Sequence, residues 1–255
     1  MKNHSRLVAV GLVLLSLALW EAICRLGQVN PKLLPAPSVI FRAGIEDWPA
    51  ASLATQVTLI EVLAGTSLAI ICGVVISFLL WSAKTFGKAV MPLLVISQTI
   101  PIVAIAPLLI IWFGFGATSK ILLVALFGIF PIIVAFSKGL TAPSRDQIDV
   151  ARSLGASPAW IFSHLRMPAA LGDFMTGLRI AGTYGPATVL IPATAATAEF
   201  VGAENGLGIY LLTAQGSFRT ELVFFGAGIL TLMTLAAYLL VELAELVLIP
   251  WKKAK

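Results

Sequence analysis

Cysteine and histidine are almost missing: Cys24, Cys72, His4 and His164 are the whole supply in 255 residues. Two cysteines, each inside an apolar run, exclude a disulfide framework, a cysteine zinc site and an iron–sulfur cluster, and two histidines add no metal cluster. Charge is just as scarce, at 11% of residues. The formal charge is +5, yet no basic stripe runs among aromatics, so no nucleic-acid partner is implied. No His, Cys or paired-acid constellation marks an enzyme, and no repeat at a fixed period marks a solenoid. What is present is apolar: 59% hydrophobic residues and a mean hydropathy of +0.99, beyond the range of a soluble domain. The 21 glycines and 14 prolines are spread through the apolar stretches rather than gathered in tails, which suits transmembrane helices. The chain reads as one membrane domain, residues 1–255, with the lipid bilayer as its solvent.

Six apolar runs approach the roughly 20 residues that cross a hydrocarbon core, at about 7–26, 57–81, 89–113, 120–137, 171–198 and 221–249. The expected fold is all-α, with six transmembrane helices. The first run exceeds a signal-peptide core and no clean small-x-small site follows it, so it reads as a retained helix. Glu61 is the lone acid of the second run. A central charge costs roughly 2.5–3.5 kcal/mol, so Glu61 is expected near the outer interface, reaching water. Gly65, Ala69, Gly73 and Ser77 recur every fourth residue beyond it and form a seam that lets a neighbouring helix approach closely; Gly177, Ala181 and Gly185 form a second. Eleven Lys and Arg residues fall on the side of the N-terminus, among them Lys84, Lys138, Arg145, Arg152 and Arg166. Five fall opposite: Arg25, Lys32, Arg42, Lys120 and Arg219. The positive-inside rule then puts both termini in the cytoplasm of a cell-membrane protein.

The longest connection on the positive side, 138–170, carries helix signals of its own. Ser144 with Gln147 forms a capping box, Ile148, Ala151 and Leu154 recur at helical spacing, and Gly155 stands where positive φ is needed. Ser157 then caps a second start with Pro158 at its first position, Ile161 and Leu165 share a face, and Pro168 closes the segment. Two short helices hinged at Gly155 result. On the residues alone they are either a loop packed under the bundle, the simpler reading, or a docking element for a cytoplasmic partner.

The run from Asp149-Val-Ala-Arg-Ser-Leu-Gly155 through Met167-Pro168 resembles the EAA loop of ABC importer permeases, with Asp149, Val150 and Ala151 in the place of its acid-Ala-Ala triplet. Around it, Leu34-Pro35-Ala36-Pro37-Ser38, Pro101 to Pro107, Trp112-Phe-Gly114-Phe-Gly116, Thr176-Gly-Leu-Arg179 and Ala198-Glu199 through Gly206-Leu-Gly208 stand in order along the chain, and are similar to the nitrate/sulfonate/taurine-type branch of that family. The resemblance implies a type I importer permease, with a MetI-like five-helix core, an added N-terminal helix and a cytoplasmic coupling helix between spans 4 and 5. It implies partners as well: a second permease copy in a homodimer, cytoplasmic ATP-binding subunits, and an extracytoplasmic substrate-binding protein. Asp149, Ala151, Leu154, Gly155, Ala156, Trp160 and Pro168 are the implied coupling residues. Pro101, Pro107, Tyr184, Thr188 and Glu199 are the implied pathway and gate residues.

No cofactor is expected in this chain. The nearest approach to a Walker A motif, Gly114 to Lys120, has Ser119 where the second glycine belongs, so ATP is expected on a partner subunit. In the fifth run Pro186 and Pro192 remove helix donors beside the hydroxyls of Thr183, Tyr184, Thr188 and Thr194. A kinked structural helix and a polar translocation cavity both fit. The stretch Ile191–Thr197 is about six residues longer than the usual link, by unaligned comparison. Arg179, near the cytoplasmic end, suits a headgroup or Asp173 better than a substrate anion. The branch implies a sulfonate, taurine, nitrate or similar anion as cargo, while Ala181-Gly-Thr-Tyr-Gly-Pro186 also resembles permeases for thiamine-precursor pyrimidines. The rival reading is an ion-coupled secondary transporter working without an ATPase, which would need intramembrane ionisable groups.

Overall fold

The computed structural model describes residues 2–27, 29–97, 100–180 and 191–249, and the regular structure among them is helical throughout. α1 (Lys2–Leu26) is followed by α2 (Pro37–Glu46) and α3 (Trp48–Ser82), both of which have proline in the first turn, where a missing N–H costs nothing. Then come α4 (Lys84–Ser97), α5 (Ile102–Phe113) and α6 (Ala117–Thr141). The short α7 (Arg145–Ser153) and α8 (Pro158–Ile161) precede α9 (Met167–Ile180), α10 (Ile191–Gly202), α11 (Leu207–Gly216) and α12 (Thr220–Leu248). Among the described residues α3, α6 and α12 are long and apolar enough to cross a bilayer.

The bundle is organised on the pairing of α3 with α6, and the small-residue seam explains why. Gly65, Ala69, Gly73 and Ser77 are all buried. A Cβ on Gly65 would come within 2.6 Å of Val124, and one on Gly73 within 2.5 Å of Ile132. Gly128 returns the fit from α6, where an added Cβ would come within 2.9 Å of the Ala69 Cβ. Ser77 Oγ donates to the Gly73 carbonyl at 2.7 Å, satisfying its own polar group inside the helix. Below the seam Ile132, Phe136 and Leu140 of α6 meet Ala170, Phe174 and Met175 of α9 in one apolar cluster.

Three expectations change. The run 89–113 is two helices, because Pro101 takes an extended ψ of 137° as the N-cap of α5 and restrains the residue before it. The fifth run is divided between α9 and α10; Tyr184, Thr188, Pro186, Ala181 and Gly185 lie outside the described residues, as does the Arg179 side chain. Pro168 ends nothing. Phe162–Arg166 forms a π turn in which the Met167 N–H donates to the Phe162 carbonyl, and this five-residue register carries the helix past a proline that has no N–H to give.

Candidate functional site

The elbow 144–166 is built as its residues demand. Ser144 Oγ accepts from the Gln147 N–H at 3.2 Å while the Gln147 side chain accepts from the Ser144 N–H at 3.0 Å. At the other end of α7 the Gly155 N–H donates to the Arg152 carbonyl and the Ala156 N–H to the Ala151 carbonyl. These paired bonds are a Schellman motif, and they place Gly155 at φ +86°. Ser157 Oγ then accepts from the Trp160 N–H at 3.2 Å, starting α8 on Pro158.

Ile148, Ala151 and Ile161, with Ala156 and Leu165, form a small core inside the elbow. Its other face is open: Leu154 is 83% exposed and Trp160 44%, and Asp149 is exposed in an i,i+3 pair with Arg152. Ala151, Leu154, Gly155, Ala156, Ser157 and Trp160 line a surface concavity of about 470 Å³. Of the implied coupling residues this gathers five. Asp149 stands beside them, and Pro168 lies apart at the start of α9. Ala151 is buried in the small core, with its carbonyl accepting in the Schellman motif.

The elbow is braced to the bundle by residues that periodicity did not single out. The Phe162 ring lies 5.7 Å from that of Phe78 and 5.5 Å from that of Trp81, both at the end of α3. Arg166 donates to the Leu140 carbonyl at 2.7 Å and lies 5.4 Å over the Trp81 ring. The two ring pairs and the one cation–π contact are worth about 0.5–1.5 kcal/mol each beyond burial. The turn after α8 is thus tied to α3 by packed rings and to α6 by the Arg166 hydrogen bond.

A second polar site lies at the far end of α3, about 35 Å away by helical rise. Gly206, at φ +128°, is the N-cap of α11 and has no side chain to satisfy the first amides. Other helices do this instead. Thr58 Oγ1 accepts from the Leu207 N–H at 2.8 Å and donates to Glu199 Oε1 at 2.6 Å; Glu199 Oε2 accepts from the Gly208 N–H. A carboxylate against a helix N-terminus is favoured by the helix dipole. A Cβ on Gly206 would overlap the Glu199 carboxyl, so the glycine is required both for its φ and for its size.

Glu61 does not reach water. It is 2% exposed, its carboxyl lies beside that of Glu199, and its Oε2 is buried without a hydrogen-bond partner. Lys120 is also buried, 4% exposed, with Nζ donating to the Phe115 and Gly116 carbonyls at 2.6 and 3.1 Å, and it faces both acids electrostatically. Pro101 and Pro107 are exposed and stand away from this cluster, although the neighbouring Ala106 and Leu109 pack against Ala198 of α10. Thr58 and Lys120 were missed as site residues. Thr58, Glu61 and Gly65 share one face of α3, and that spacing was the available signal.

Comparison with known proteins finds relatives along nearly the whole chain. The chain is 33% identical to a probable ABC transporter permease protein of Haemophilus influenzae over 236 residues, covering 92% of this chain and 93% of that one. It is 35% identical over 243 residues to the formylaminopyrimidine transport permease protein of Halalkalibacterium halodurans, covering 94% of each. With the taurine transport system permease protein of Escherichia coli it shares 27% identity over 251 residues, 96% of this chain and 89% of that one. Residues 65–252 match the model of the binding-protein-dependent transport system inner membrane component, and that stretch includes the α3–α6 seam, the elbow and the Glu199 turn. The chain belongs to this family of transport permeases.

Proposed function

We propose that the chain is the membrane-spanning permease of an ATP-driven importer, working as a homodimer with two cytoplasmic ATP-binding subunits and an extracytoplasmic substrate-binding protein. The observation that carries this reading is the elbow: a double-capped helix pair with an apolar concavity outside, fastened by Phe162 and Arg166 to the ends of α3 and α6. Such a piece suits insertion into a groove on an ATPase, since Leu154 and Trp160 offer apolar surface and Gly155 fixes the angle between the helices. The chain crosses the membrane six times in this reading, with both termini and the elbow in the cytoplasm. ATP is bound by the partner, and no cofactor belongs to this chain.

The cargo is a small solute, either a sulfonate, taurine, nitrate or similar anion, or a thiamine-precursor pyrimidine of the kind named for the Halalkalibacterium relative. Its choice rests chiefly with the binding protein. One observation favours a second reading: Glu61, Glu199 and Lys120 are buried ionisable groups of the sort an ion-coupled carrier needs. Glu199, however, already accepts from Thr58 of α3 and from the Gly208 N–H of α11, which supports an anchoring role. Uptake into vesicles carrying the permease, with and without the ATPase and ATP, separates the two. Uptake that needs both is expected; accumulation driven by an ion gradient alone would overturn the importer reading.

A further inference from the structure

A cavity of about 720 Å³ opens between the elbow and the ends of α3, α4 and α6. Its composition is graded. Leu80, Met91 and Val134 form walls on the bundle side, while Lys138 and Arg145, both exposed, stand at the elbow side with Arg166. No carboxylate lines it, and neither Lys138 nor Arg145 is ion-paired among the described residues. Ser137, on the same wall, has a buried hydroxyl with no hydrogen-bond partner. Arg166 is held in place by the Leu140 carbonyl and the Trp81 ring.

We propose that this cavity seats one anionic phospholipid of the cytoplasmic leaflet, its phosphate at Lys138 and Arg145, and an acyl chain against Leu80, Met91 and Val134. The inference rests on the membrane orientation of the proposed function. In that orientation, the change from apolar wall to cationic rim runs in the direction of a lipid, from chain to headgroup. Basic pockets between membrane helices on the cytoplasmic side are suited to such headgroups. The volume takes a headgroup and part of one chain. A soluble phosphate would use the rim but leave the apolar walls uncovered. A zwitterionic lipid would fill the walls but add an ammonium to a rim that already carries three cations. A bound lipid would bridge Lys138 of α6 and Arg145 of α7, joining the bundle to the elbow at a second place beside the Phe162 contacts.

The test is native mass spectrometry of the permease, alone and with its ATPase, released from nanodiscs of mixed phosphatidylglycerol and phosphatidylcholine. One phosphatidylglycerol per permease is expected to stay bound in both samples. Lys138→Gln with Arg145→Gln should lower retention about twenty-five-fold, at about fivefold per cation. Val134→Trp, at a position 37% exposed and able to take the bulk, should lower it with every charge intact. Arg152→Gln, an exposed cation outside the cavity, should change nothing. Equal retention in the double variant, or an unaffected Val134→Trp, would overturn the site in favour of diffuse attraction. Displacement by millimolar inorganic phosphate would make it a phosphate site, and expulsion on adding the ATPase would make it a subunit contact; either result defeats the lipid. Retention is read without transport, so failure of ATP-driven uptake with lipid still bound strikes the importer reading alone.

Discussion

Substitution of Gly155 separates backbone conformation from packing. Its φ is +86°, and a Cβ built there meets nothing within 4 Å. No clash contributes, so the cost is that of placing a side chain in the left-handed region: about 1 kcal/mol for alanine, more for β-branched valine, and less for asparagine, whose short amide tolerates it. One kcal/mol alters the ratio of elbow conformers about fivefold. The capping box at Ser144, the Ser157 cap and the Phe162 rings are untouched, so insertion and expression should stay normal. The expected order of coupling is Gly, then Asn, then Ala, then Val. The valine variant should lose at least about fivefold in uptake. Co-purification of the ATPase, binding-protein-stimulated hydrolysis and vesicle uptake would be measured on all four proteins. A valine variant normal in all three assays would make the elbow a passive connector. An asparagine variant as impaired as valine would show that smallness, not φ, is what position 155 supplies.

The Glu199 turn yields a contrast: Glu199→Ala should impair uptake far more than Glu204→Ala, because Glu199 is fully buried on two donors while Glu204 is exposed; near-normal uptake in both would remove the anchor. Thr58→Val keeps the volume but leaves the Leu207 N–H and a Glu199 oxygen short of a partner, at about 1–3 kcal/mol, and should lower the thermal midpoint of the purified protein; an unchanged midpoint would mean that water replaces the hydroxyl. Gly73→Val should prevent accumulation of folded protein, since its first added atom already meets Ile132 at 2.5 Å, whereas Gly228→Val, with nothing within 4 Å, should accumulate normally; equal yields would show that α3 and α6 part without penalty. For orientation, a single cysteine at Lys32 should react with an impermeant reagent in intact cells and one at Arg152 should not. Lys120 is too buried to serve as the second external probe, and labelling at residue 152 would invert the topology.

The elbow was legible because each of its parts is local. A capping box spans four residues, a Schellman motif six, and both are written in side-chain types that have few other reasons to stand at that spacing. The α3 seam was legible for a related reason: four small residues at one helical period predict a close neighbour without saying which. That the neighbour is α6 depended on a match between Gly65 and Val124 and between Gly73 and Ile132, a complementarity that neither helix states alone. Even inside the elbow the sequence showed helical spacing at Ala151 but not its orientation. Its conversion to Asp is expected to break the elbow's own core.

Glu61 and Lys120 show where reading the chain one residue at a time fails. A lone acid in an apolar run is rightly priced as expensive, and the cheapest escape for a lone acid is water. The price changes once partners exist, and these lie far off in sequence: Thr58 meets Glu199 across 141 residues and Leu207 across 149. Lys120 escaped notice differently. It was counted as one of the external charges that set orientation, yet it turns back to donate to the Phe115 and Gly116 carbonyls ahead of α6. Charge patterning gives an expected orientation for the helices; it does not contain which charges the packed helices enclose, and Lys120 is one of them.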